Sequence, residues 1–183
     1  SNLDLSNCNL SGARLKGASL RSAKLAAVDL SSAQLDGADL AHAKLDGANL
    51  EGADLRATIL DDASFLKANL RRANLTGVSA RQTSFEGAAL ERATLARVRA
   101  SGARFEGACL DGADLSSANL GAASFKGATA RMARLDGAVL SRANLRGAEL
   151  SRASIRSADL SYALLEHASL VHADARDANL EQA

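Results

Sequence analysis

The chain keeps one rhythm from end to end: an apolar residue at every multiple of five, from Leu5 to Leu180, with no insertion or slip. Of these 36 centres, 27 are Leu, four are Phe (Phe65, Phe85, Phe105, Phe125), four are Ala (Ala80, Ala100, Ala130, Ala175) and one is Ile155. The residue two places before the centre is Ala at 30 of 37 positions. An α-helix turns about 100° per residue, so a step of five leaves a net rotation of about 140° and successive centres share no face. A straight strand fails as well, because an odd step sends each centre to the opposite side. Within one unit, however, the Ala and the centre lie two apart and share a side. A short extended piece followed by a corner, repeated, returns every pair to the same interior and builds a stack of coils.

Glycine and proline agree with a stack. Thirteen of the 14 glycines fall two residues after a centre, where the corner belongs, and only Gly121 does not. Glycine tolerates the backbone angles that tight corners need. Proline is absent, so every amide is able to donate to a ladder between coils. Of the 73 inward positions, 71 are apolar, with Thr58 and Thr83 the exceptions. The low complexity therefore marks order rather than disorder, which would lack a buried face.

The units Ala38-Asp39-Leu40, Ala48-Asn49-Leu50, Ala53-Asp54-Leu55, Ala113-Asp114-Leu115, Ala118-Asn119-Leu120 and Ala178-Asn179-Leu180 resemble the pentapeptide-repeat family. The resemblance extends over essentially the whole chain. It implies an all-β fold, a right-handed quadrilateral β-helix with four pentapeptides, or 20 residues, per coil. One internal feature fits four: the phenylalanines are 20 residues apart and would form one column, at roughly 4.8 Å per coil. Residues 1–183 then form a single domain of about nine coils. The repeat begins in phase at Ser1-Asn2-Leu3-Asp4 and runs to Ala183, which reads as a segment of a longer chain or as ends covered by self-association. No secretory leader is visible in that opening, and no apolar run reaches membrane length.

Little in the sequence points to catalysis. A solenoid without insertions has no loops from which to build a pocket. His42, His167 and His172 all sit two residues after a centre and point outward, a poor arrangement for a metal. Gly102, Gly107 and Gly112 keep the five-residue spacing and make no phosphate loop. The expectation is a protein that is not an enzyme and has no cofactor. Asn9, Asp29, Asn49 and Asn69 fall 20 apart and are expected to form a side-chain ladder. Cys8 and Cys109 would lie five coils apart, about 24 Å, beyond disulfide reach, which suits a reducing compartment and a cytoplasmic protein.

Charge separates the remaining readings. Some proteins of the family resemble duplex DNA and act on DNA gyrase, giving quinolone resistance, and such a mimic needs an acidic surface. This chain has 22 basic and 21 acidic residues. Residues 36–62 are acidic and residues 71–99 basic. Arg71, Arg72, Arg92, Arg97 and Arg99 form a candidate charged patch, but without the aromatic residues that nucleic-acid binding favours. The outward apolar residues Val139, Tyr162, Leu164 and Val171 are the candidate interface, because the repeat does not require them there. The family often dimerises through C-terminal coils, and this cluster would suit that. The expectation is thus a rigid scaffold acting through protein–protein contact, in a bacterial cell by resemblance. Its partner is unidentified, a homodimer is expected, and membrane and nucleic-acid partners are not. The alternative is a topoisomerase-directed DNA mimic.

Overall fold

Why the corners fall where they do follows from the backbone. The computed structural model describes residues 3–183. Let i denote a centre. At every repeat the amide of i+3 donates to the carbonyl of i, as from Val28 to Leu25 at 3.2 Å, closing a four-residue turn. The third residue of that turn, i+2, has positive φ at all 36 described corners, between 52° and 71°. Positive φ at this place is the type II requirement. Glycine fills only 13 of these corners and 23 carry side chains, so glycine marks some corners while the geometry is universal. No Val, Ile or Thr occupies an i+2 position, since branching at Cβ makes that conformation costly.

Between corners the chain is extended for one paired residue at a time. Each i−1 residue bridges in parallel to the residue 20 further on, from Asp4↔Lys24 through Asp159↔Asn179. Three hydrogen bonds per repeat hold each coil to the next. Leu25 donates to Lys44 (2.8 Å), Ala27 donates to Asp46 (2.9 Å), and Lys44 donates back to Ala23 (3.0 Å). Four pentapeptides therefore make one 20-residue turn of a β-solenoid with four faces and four corners. The first corner contains residues 61–62 and 81–82, the second 66–67 and 86–87, the third 71–72 and 91–92, and the fourth 76–77 and 96–97. The first face carries Ser64, the second Asn69, the third Asn74 and the fourth Ser79.

That arrangement gives four of the five amides in each repeat a backbone partner and leaves the i+1 amide without one. Buried polar groups need partners, and the Asp or Asn at i−1 supplies one here. Its side-chain oxygen accepts from the amide two residues on, as in Asp29 to Ser31 (3.0 Å), Asn49 to Glu51 (3.2 Å) and Asp159 to Ser161 (3.0 Å). A second solution appears once at each corner. Asp46, Asp61, Asp111 and Asp136, at i+1, accept from the i+1 amide of the following coil, from Leu66, Arg81, Arg131 and Arg156. Three of these aspartates also take the hydroxyl of the facing serine: Ser64, Ser79 and Ser154. The expected ladder is partial: Asn49 donates to Asp29 at 3.1 Å and Asn69 to Asn49 at 3.0 Å. Capping recurs more widely than these rungs and explains the preference for Asp and Asn.

The interior is one continuous column. Leu25 through Leu160, with their alanines, are essentially inaccessible, and the phenylalanines stack at centroid distances of 5.3, 5.0 and 4.7 Å. Thr58 and Thr83, the polar inward residues, give their hydroxyls to the carbonyls of Leu55 (2.7 Å) and Leu60 (2.8 Å). Inward residues at either end, such as Leu5 and Leu165, are covered on one side and only half-buried. Cys8, at an inward position of the first coil, is exposed for the same reason.

Corner side chains lean toward the following coil. The stem of Lys67 lies over Gly87, Gln82 over Gly102 and Arg92 over Gly112. A Cβ added at Gly102 would meet Gln82 Nε2 at 2.3 Å. A different test of the corner uses Ala122, at φ 55°. Ala122→Gly is expected to stabilise the fold by about 0.5–1 kcal/mol, and Ala122→Val to destabilise it by about 1–3 kcal/mol. Urea unfolding midpoints of the two variants check the sign of each.

Candidate interaction surfaces

Many of the acidic groups on the walls are paired with basic ones along the surface rather than gathered about a pocket. Among the described residues no cluster of three or more His, Cys, Asp or Glu is arranged to hold a metal ion. His42 faces Asp62 at 3.8 Å, while His167 and His172 sit on adjacent corners. A recess of about 320 Å³ is lined by Ala163, Leu164, Leu165, Glu166, Gln182 and Ala183. Its one side-chain carboxylate is engaged: Arg146 donates Nε and Nη2 to Glu166 at 2.9 and 2.8 Å. That bidentate bond lowers the Glu166 pKa to about 2. Arg176 and Arg156 together hold Asp174 well below the usual carboxylate range. Both acids stay ionised through the neutral range, and neither is poised to carry a proton there. The described residues include no helix, hence none long and apolar enough to cross a membrane.

Three of the four interface candidates come together. Val139 is on the fourth face, bridged to Asn119 and Asp159. Tyr162 stands at the first corner just beyond Asp159, and Leu164 is on the next face, bridged to Asn144. They are 40, 47 and 39% exposed. The guanidinium of Arg142 lies 5.9 Å from the centre of the Tyr162 ring, a cation–π arrangement between successive turns of the corner. Val171 stands apart. It belongs to the third corner, diagonally across the solenoid, where the exposed Met132 also sits. Counting corners, rather than position along the chain, separates the two groups.

The candidate arginines are spread over two corners and one face. Arg71 is bonded to Glu91 through Nε (3.0 Å) and Nη2 (2.8 Å). Arg72 and Arg92 occupy successive turns of the third corner, Arg97 is at the fourth corner and Arg99 on the fourth face. Arg81, at the first corner, extends this half-belt. Among the described residues, Arg72, Arg81, Arg92, Arg97 and Arg99 have no carboxylate within 4.0 Å. Arg81 belongs to the basic stretch 71–99 but not to the five candidate arginines. Its signal was available, because it occupies the same corner column as the acidic Asp61.

Comparison with known proteins places these walls in context. A family model described as pentapeptide repeats, in eight copies, matches residues 4–40, 38–77, 81–116, 118–156 and 148–183. Among curated proteins, no sequence matches. Among solved structures, the chain is similar to HetL from the cyanobacterium Nostoc sp. strain PCC 7120, a pentapeptide repeat protein involved in heterocyst differentiation regulation. Identity is 32%, coverage 99% of this chain and 86% of HetL, and the TM-score 0.54. It is also similar in fold to a trypsin-treated form of QnrB1, a plasmid-mediated fluoroquinolone resistance protein, at 20% identity. Coverage is 98% of this chain and 90% of that one, with a TM-score of 0.63.

Proposed function

Because the chain belongs to the pentapeptide-repeat family, we propose that it is a non-enzymatic, right-handed β-helical scaffold of about nine coils that works by protein–protein contact. The observation that carries this reading is the corner at which three exposed apolar side chains, Val139, Tyr162 and Leu164, come together. On a rigid backbone such groups lose only side-chain freedom when a partner covers them, and a cluster of exposed apolar residues marks an interaction site. The likeness to HetL supports a regulatory role. The free thiols of Cys8 and Cys109 support work in the reducing cytoplasm. The charge layout argues against DNA mimicry: net charge is +1, and the half-belt of unpaired arginines would repel a DNA-binding groove.

The test uses a photo-cross-linking residue at Tyr162 and, separately, at Met132 on the far corner, in the native host. The expected result is a discrete protein adduct from position 162 alone, lost when Leu164→Asp is added. Equal adducts from both positions, or none from 162, would remove this reading. A gyrase supercoiling assay tests the alternative: inhibition at micromolar protein would favour the mimic.

A further inference from the structure

The geometry points to a second copy of this chain as the occupant of the fourth face and first corner, docked side by side and antiparallel. Along the fourth face, successive coils present Asp39, Ile59, Ser79 and Arg99. Along the first corner they present Asp61 and then Arg81. Acidic and basic groups thus lie on either side of one level, between Ile59 and Ser79, and between Asp61 and Arg81.

A two-fold axis in the plane of contact, perpendicular to the solenoid axis, keeps each column facing its own equivalent and reverses its direction. Placed at that level, it sets Asp39 against the other copy's Arg99 and Asp61 against its Arg81, each pair occurring twice. Ile59, 43% exposed, meets the flat, nearly buried Ser79. Asp39 and Asp61 thus each meet an arginine, Asp62 faces the uncharged Gln82, and the most exposed apolar group of the face falls near the centre. Within one copy these arginines have no carboxylate partner among the described residues, and Asp39 has only a distant one, Arg21 at 3.7 Å. A rigid β-solenoid holds the charges at fixed spacing, so no ordering precedes contact.

Within the described residues the overlap runs from Ser19 to Asn119 on each copy, six coils. At roughly 4.8 Å per coil and a face about 15 Å wide, it covers about 400 Å² per copy, the weak and transient class. The paired charges lie between Asp39 and Arg99, two coils short of Val139, so the contact does not draw on the apolar corner. The inference therefore stands whether or not that corner binds a partner.

Sedimentation velocity of the full chain over roughly 10–1000 μM tests it. The expected result is a monomer–dimer equilibrium weakened at least about tenfold between about 0.02 and 0.5 M salt. Asp39→Asn, which keeps an oxygen to cap the Ala41 amide, should weaken it several-fold. Asp39→Arg and Arg99→Asp should each abolish it, and an equimolar mixture of the two should dimerise, because each then carries the charges that the other lacks. Circular dichroism of both variants confirms that they are folded. A wild type that stays monomeric at about 1 mM in low salt, variants that associate unchanged, or folded variants whose mixture stays monomeric would each overturn the proposal.

Discussion

Deleting the single residue Gly121 is expected to destroy cooperative folding of the C-terminal third, whereas removing all twenty residues from Ser141 to Leu160 leaves a folded, shorter solenoid. The reason lies in the phase. Loss of one residue moves every following Ala and Leu out of the interior and brings bridge and corner residues inward, where charge and branching cannot be accommodated. Loss of twenty joins Leu140 to Ser161 with each column intact: Val139 then pairs with Asn179, and the phenylalanine stack is untouched. In a one-dimensional array each coil contacts only its neighbours, so the shorter protein loses one interface and its melting temperature falls modestly. Limited trypsin digestion with circular dichroism distinguishes the two. Should the Gly121 deletion be as protease-resistant as the wild type, the phase argument fails.

The second large effect is expected at Phe105. Its ring is fully buried and stacked between Phe85 at 5.0 Å and Phe125 at 4.7 Å. Phe105→Ala removes two stacked contacts and leaves a void that the rigid ladder above and below cannot close. The neighbouring centre is already small, Ala100, so no side chain is at hand to fill the gap. A loss of about 3–5 kcal/mol follows from comparable truncations, readable in guanidinium unfolding. Phe105→Leu restores most of the volume and should recover more than half. If the alanine variant loses less than about 1 kcal/mol, the column is not a determinant of stability.

How much of this was legible in advance depends on what each feature requires one to know. The interior was legible because periodicity alone separates Ala and Leu from the rest. The phenylalanine column followed from its 20-residue spacing. The capping role of Asp29 or Asn49 was not legible in the same way. It becomes visible only once the ladder has claimed four amides of five and the i+1 amide is seen to lack a partner. The 20-residue spacing of those side chains therefore reveals ladders and leaves the caps hidden. The corner geometry left a trace that went unread: Val, Ile and Thr never occur at i+2, although they occur at other positions. Val171 was grouped with Leu164 by nearness along the chain, while the fold groups residues by remainder after division by twenty.

The lean of the corner side chains has a further consequence. Since Lys67, Gln82 and Arg92 lie over the glycines of the following coil, the surface at a given height displays chemistry encoded one coil earlier. Any ligand travelling along the wall meets a pattern displaced by a rung from the one written in the sequence. The two directions along the axis are therefore not equivalent to such a ligand, and an exchange at one corner alters what is read at the next.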